Sequence, residues 1–293
     1  MLKESFLEYL SLERNYSERT VVGYEADLTQ FETYLNGVDE NLDFISVDAD
    51  LVRGWVMQLM EHHYTETSVN RKLSSLRSFY RYLLRKGVIQ ADPMQKIIGP
   101  KKKKPLPVFV KDADMNKLLD ETDFGNSFEG VRDRLILEMF YVTGIRLSEL
   151  IGLTDAGVDL SAGMIKVTGK RNKQRLIPFG EELKQDLIAY LEARTQYYAG
   201  PYEAFFIRKG GKKLYSHMVY VLVKKNLSRV VTLKKRSPHV LRHSFATSML
   251  NHHAELEAVK ELLGHESLTT TEVYTHTTFE ELKKVYEQAH PRA

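Results

Sequence analysis

The stretch from residue 91 to residue 108, ADPMQKIIGPKKKKPLPV, limits what this chain can become more than any other. Pro93, Pro100, Pro105 and Pro107 each fix φ and lack a backbone donor, and Lys101, Lys102, Lys103 and Lys104 repel one another. Neither a helix nor a central strand runs through such a segment. The expectation is therefore two domains, 1–90 and 109–293, joined by a basic linker at 91–108. A length of 293 residues suits two domains of ordinary size.

The first hundred residues read as helices. Leu2, Phe6, Leu7 and Leu10 make one face of a helix over 2–14. Ser17 is placed to cap a second helix that stops before Gly37, and Asp48 to cap a third. A fourth starts at Thr65 or Thr67 and ends near Lys86-Gly87. From Thr67 onward it holds Arg71, Lys72, Arg77, Arg81, Arg85 and Lys86 and no acid. One reading is an element that tracks a phosphate backbone. The other is a solvated face whose acids lie on neighbouring helices.

Beyond the linker, Asp112 is placed to cap a short helix. Residues 128–143 read as a largely buried helix broken by Gly144. Met164–Thr168 and Gln174–Pro178 read as two strands joined at Gly169-Lys-Arg-Asn-Lys173. Helices follow at 181–197 and 216–230, and Gly210-Gly-Lys-Lys closes a hairpin. The fold class is mainly α: a helical N-terminal domain and an α+β domain with a small antiparallel sheet.

Charge is divided unevenly. Residues 1–100 carry 11 Lys/Arg against 15 Asp/Glu, and residues 101–293 carry 31 against 24. The net charge of +3 thus hides a basic C-terminal portion, fit for a polyanion or simply solvated. There is no cysteine, so disulfides and thiolate metal sites are excluded. No apolar run has the length of a membrane span, and Met-Leu-Lys-Glu-Ser is no signal peptide. A cytoplasmic protein with no membrane partner is expected.

The chemistry concentrates between Ser237 and His276. His239 and Arg242 lie one helical turn apart behind Ser237-Pro238, an N-cap followed by proline at the first helical position. An apolar helix ends at Leu262-Leu263-Gly264 and is followed by His265, and Tyr274 stands nine residues further on. A tyrosine among arginines and histidines points to attack on a phosphodiester, whose anionic centre needs many donors. Adjacent His62-His63 and His252-His253 do not face one ligand on a helix, so no metal and no cofactor is expected.

These boxes, with Thr143-Gly144-Ile145-Arg146-Leu147-Ser148-Glu149-Leu150 and Thr168-Gly169-Lys170, resemble in order and spacing those of the tyrosine recombinases. That family includes the phage integrases and the XerC/XerD kind. The resemblance implies a DNA-cleaving and rejoining enzyme with Tyr274 as nucleophile and a 3′-phosphotyrosine intermediate. Arg146 and Arg242 would clamp the non-bridging oxygens, with Glu149 orienting Arg146. His239 would contact phosphate and handle a proton, His265 would donate to a non-bridging oxygen, and Lys170 would protonate the leaving oxygen. The N-terminal domain would bind core DNA through Arg71, Lys72, Arg77, Arg81 and Arg85, with Lys101, Lys102 and Lys103 along the backbone. The expected partner is double-stranded DNA with paired half-sites. The assembly would be a homo- or hetero-tetramer on two sites, with a second recombinase or a DNA translocase as a further partner. No arm-binding domain of the kind many integrases carry is expected. Phe279, Leu282, Val285 and Tyr286 form a short stripe that either packs on its own domain or, as the resemblance implies, docks into a neighbouring protomer.

Other readings stay open. Arg146 pairs equally well with Glu149 as a simple i,i+3 contact, and His265 could be only a helix cap residue. His243 could be structural. Lys170 competes with Arg171, Lys173 and Arg175. Arg171, Asn251-His252-His253 and Thr154-Asp-Ala-Gly-Val depart from the family pattern without removing a catalytic group. Within the family, chromosome dimer resolution stands against an integrase of a mobile element. Outside it stand a non-cleaving DNA-binding protein on the same fold and a topoisomerase-like relaxase.

Overall fold

The computed structural model describes residues 1–102, 108–169, 173–264 and 276–293. It divides into two compact units, Met1–Pro105 and Leu106–Ala293.

In the N-terminal unit, α1 (Leu2–Glu8) runs on as a π-helical turn to Glu13. It is followed by α2 (Glu18–Val38), α3 (Ala49–Glu61) and α4 (Glu66–Arg85). The Ser17 and Asp48 side chains accept from the first-turn amides as expected, and Thr65 caps α4. The second helix does not stop before Gly37 but passes through it to Val38. Gly37 is exposed, and one glycine costs a helix only about 1 kcal/mol. The core is aromatic: Phe31 meets Trp55 and Phe44 meets Phe79, each at 4.9 Å between ring centroids. Met94 and Ile97 are buried in this core, and the Pro100 carbonyl accepts from Asn70. The early part of the expected linker therefore packs on the N-terminal unit, because Met94 and Ile97 find cover there, while Ile98 stays exposed.

Buried Asp27 on α2 ties α2 to α4. It accepts from both Nη atoms of Arg71 at 2.6 and 2.7 Å, from Lys72 Nζ at 3.0 Å and from Ser75 Oγ at 2.7 Å. Four donors satisfy a carboxylate that would be costly to bury alone.

The C-terminal unit comprises α5 (Asp112–Asn116), α6 (Phe128–Thr143), α7 (Leu147–Ile151), β1 (Val158–Asp159), β2 (Met164–Thr168) and β3 (Gln174–Pro178). Then come α8 (Glu181–Tyr197), α9 (Ser216–Leu227), α10 (Pro238–Asn251), α11 (Leu256–Leu263) and α12 (His276–Ala289). The sheet is antiparallel in the order β1-β2-β3, with Ile165 opposite Ile177 and Val167 opposite Arg175. The two-residue strand β1 has too little periodicity to read from sequence. Asp112 is the first residue of α5 and not its cap, because its carboxylate accepts from the Tyr141 hydroxyl at 2.8 Å. The helix read at 216–230 ends at Leu227, where Arg229 and Val230 close tighter i−3 turns. An isolated bridge between Ile207 and Lys213 closes the Gly210-Gly211 turn. No described helix is long and apolar enough to cross a membrane.

In the single chain α12 lies on its own unit, with Leu282, Tyr286 and Ala289 buried in that core. His290 stacks against both Phe245 and Tyr286, and Arg292 forks Asp120 at 2.9 and 3.0 Å. The apolar stripe was legible, and in the single chain α10, α11 and β3 cover it.

Under this tail, Glu138 of α6 is completely buried, with Arg134 Nη1 at 3.5 Å. Burial, and then the neighbouring Asp186, push its carboxyl well above the usual range, while Asp186 is held low. Glu138 thus keeps its proton and can donate it to Asp186. The unfolded chain releases that proton near 4.5, so this group stabilises the fold fully below that pH. The contribution shrinks as pH rises toward the raised value, at up to about 1.4 kcal/mol per unit. Between about pH 6 and about pH 9 the melting temperature should fall less in Glu138→Gln, which is neutral throughout. Parallel slopes in the two proteins would contradict a protonated Glu138.

Candidate active site

The site is built on two left-handed glycines. Gly144 ends α6 at φ 57°, where a Cβ would come within 2.6 Å of the Phe245 ring and 2.9 Å of Leu263. Gly264 ends α11 at φ 61°, where a Cβ would meet Arg175 Cδ at 2.9 Å. Only glycine meets both demands, conformation and space.

From Gly144 the chain turns into α7 with Arg146 at its N-cap. Glu149, three residues on, accepts the Arg146 backbone N–H on Oε2 at 2.8 Å and Arg146 Nη1 on Oε1 at 2.7 Å. That Oε1 also accepts Arg175 Nη1, from β3. The Glu149 carboxylate is fully buried. Burial pushes it up, but the charge and hydrogen bond of Arg175, then the bonds from Arg146, outweigh this and hold it below the usual range. It stays ionised and balances the cations around it.

The last carbonyls of a helix have no partner within it and carry its negative dipole end. At the end of α11 three arginines take them. Arg175 Nε donates to Leu262 at 3.1 Å, Arg242 Nη2 to Leu263 at 2.6 Å and Arg146 Nη2 to Gly264 at 2.7 Å. Arg242 also donates through Nη1 to the Gly144 carbonyl. Two expected phosphate clamps from distant parts of the sequence are thus gathered at one helix terminus. Burial, then the charges of Arg146 and Arg175, push Arg242 down to about 9, so it remains a cation at neutral pH. Half-buried guanidiniums with fixed rotamers present donors to a phosphate at little further ordering cost.

His239 is exposed, at the second position of α10 and one turn before Arg242. Ser237 is the N-cap and Pro238 takes N1, although the serine hydroxyl makes no capping bond. His243 is exposed on the same helix and not packed as a structural residue. Lys170, His265, Tyr274 and Lys103 lie outside the described residues. Among the described residues no group of three or more His, Asp or Glu could hold a metal ion.

Sequence reasoning missed Arg175 as part of this cluster. It is 7% exposed. The signal was present in the strand alternation, since residues 175 and 177 point to one face and 177 is an isoleucine.

The basic helix needs one correction. Lys72 is buried and its ammonium is taken by Asp27, so it is a core ion pair and not a phosphate contact. Arg71 shares that carboxylate but keeps half its side chain exposed. Arg77 donates to the Ile97 carbonyl at 2.9 Å, and the Arg85 guanidinium lies over the Tyr9 ring at 4.5 Å. Arg81, Lys101 and Lys102 are exposed.

Residues 109–281 match the phage integrase family, and residues 4–87 match its N-terminal SAM-like domain. Tyrosine recombinase XerC of Chlorobaculum tepidum is 38% identical, over 98% of this chain and 94% of that protein. Tyrosine recombinase XerC of Listeria innocua is likewise 38% identical, over 100% and 98%. Among solved structures, the Tn1549 transposon integrase in complex with circular intermediate DNA superposes with a TM-score of 0.73. It is 20% identical, covering 96% of this chain and 98% of that one. The XerH recombinase bound to its difH substrate, post-cleavage, gives 0.72 at 20% identity, covering 97% and 85%. On the family match and on relatives aligned along nearly its whole length, this chain belongs to the phage integrase family, the tyrosine recombinases.

Proposed function

We propose that this chain is a site-specific tyrosine recombinase of the Xer type, which cleaves and rejoins duplex DNA and serves to resolve chromosome dimers. The observation that carries the reading is the convergence of Arg146 and Arg242 on the end of α11, with ionised Glu149 holding Arg146. The Tyr274 phenol oxygen attacks the scissile phosphorus in line, passing its proton to His239. The bond to the 5′ oxygen breaks and that oxygen takes a proton from Lys170. A 3′-phosphotyrosine conserves the bond energy, and attack by a 5′ hydroxyl reverses the step. Arg146, Arg242 and His265 neutralise the charge that grows on the non-bridging oxygens. Four protomers on two sites, with a second recombinase or a translocase in control, complete the reading.

Its test is incubation with nicked suicide duplexes carrying paired half-sites drawn from the host chromosome. Covalent adducts on a denaturing gel are expected. Salt-dependent binding without adducts would leave a non-cleaving DNA-binding protein.

Phosphate contacts should also separate from structural cations. Arg81→Ala should flatten the plot of log affinity against log salt by up to about one unit. Lys72→Met should leave the slope unchanged and cost about 1–3 kcal/mol of stability, because it removes a donor from buried Asp27. If Lys72→Met changes the slope and Arg81→Ala does not, the exposed and buried roles are reversed.

A further inference from the structure

We propose that Arg175 is a positioning residue for strand cleavage, clamping Glu149 beneath Arg146 and pinning the end of α11 to the sheet. The inference rests on the strand-cleaving reading above and goes beyond it, since Arg175 entered the sequence reading only as a rival to Lys170.

Arg175 joins three elements with one guanidinium. It sits on β3, its Nη1 reaches Glu149 on α7, and its Nε reaches the Leu262 carbonyl on α11. Its stem fills the space that a side chain at residue 264 would need, beside Arg146 Nη1. An aliphatic residue at this inward strand position would pack without the several kcal/mol that desolvating a cation costs. What arginine adds is direction. With Arg146 and Arg175 both on Oε1, and the Arg146 backbone N–H on Oε2, the carboxylate has one orientation. Arg146 then has one too, with Nη1 on that carboxylate and Nη2 on Gly264. Arg175 is also the largest influence keeping buried Glu149 ionised. Lose it, and Glu149 both turns and tends to take up a proton, which withdraws the counter-charge from Arg146. Arg175 touches neither phosphate nor nucleophile in this scheme; it acts through Glu149 and the helix end that leads in sequence to His265.

The experiment compares the full chain with Arg175→Gln, Arg175→Lys, Glu149→Gln and the Glu149→Gln/Arg175→Gln double variant. Half-site affinity, single-turnover adduct formation on a nicked duplex and thermal melting are measured for each. Arg175→Gln should slow cleavage by about 10–100-fold, the scale of a small misplacement of reacting groups, with affinity changed less than about threefold. Arg175→Lys, which keeps a charge for Glu149 but cannot also hold Leu262, should recover part of the rate. In the Glu149→Gln background, Arg175→Gln should add less than about threefold, because both changes break one contact. A purely structural arginine would lower melting, affinity and rate together and would multiply independently with Glu149→Gln. That result, or wild-type cleavage by Arg175→Gln, overturns the proposal. If Arg175→Gln does not fold, Arg175→Lys in both backgrounds decides by the same criterion. If the unaltered chain forms no adduct on any half-site duplex it binds, the strand-cleaving reading falls first, and this one with it.

Discussion

Tyr274→Phe should abolish the covalent protein–DNA adduct, a loss of at least about 10³-fold, while half-site affinity stays within about twofold. The substitution deletes one oxygen, the atom that would bond to phosphorus, and leaves the ring. Tyr274 is one of 16 tyrosines, so the assignment gains from what the others do. Tyr141 donates to Asp112 and Tyr190 to the Phe205 carbonyl, and burial pushes both phenols up. Tyr80 and Tyr286 are buried and pushed further up by the same desolvation. None of these can reach a phosphodiester or lose a proton readily. The check is a denaturing gel of nicked duplex with both proteins at equal occupancy. An adduct of comparable yield with the phenylalanine variant would move the nucleophile to another tyrosine.

What could be read from the sequence was whatever a local pattern encodes. Period-two alternation and a Gly-Lys turn gave β2 and β3 their bounds, and Gly144 and Gly264 marked the ends of α6 and α11. The nearness of Arg146 and Arg242 came from resemblance, since 96 positions separate them and no spacing rule reaches that far. The fourth helix shows the limit most clearly. It holds no acid after its first residue, Glu66, but the acid that answers Arg71 and Lys72 is Asp27, on a helix 44 and 45 residues earlier. The reading in which neighbouring helices supply the acids therefore holds for those two residues. Arg175 was hidden for the opposite reason: a run of charges beside a turn reads as solvated, whereas strand register turns this one inward. In α12 the apolar stripe was plain, but an amphipathic face does not name what covers it.

Arg242→Gln should slow single-turnover cleavage by about 10²–10³-fold, or about 3–4 kcal/mol of transition-state stabilisation, with half-site affinity little changed. The reason lies in how the guanidinium is held. Its Nη1 and Nη2 each donate to a backbone carbonyl, Gly144 and Leu263, from two separate segments. This fixes the plane of the fork before any substrate arrives, so the remaining N–H groups need no ordering when charge builds on a phosphate. Glutamine has two donors where arginine has five, and no charge. It can satisfy one carbonyl or face the phosphate, and it neutralises nothing. Lysine keeps the charge but not the planar fork, so Arg242→Lys should fall between the two, with a loss of about tenfold or more. The nearby Arg146 and Arg175 already push Arg242 down, and removing one cation relieves that repulsion. A melting temperature at or near that of the unaltered chain is therefore expected for Arg242→Gln. Single-turnover adduct formation at saturating enzyme separates these cases from a binding defect. Cleavage by Arg242→Gln within about tenfold of the unaltered chain would mean that the phosphate charge is met elsewhere, and that the arginines at the end of α11 only hold the fold together.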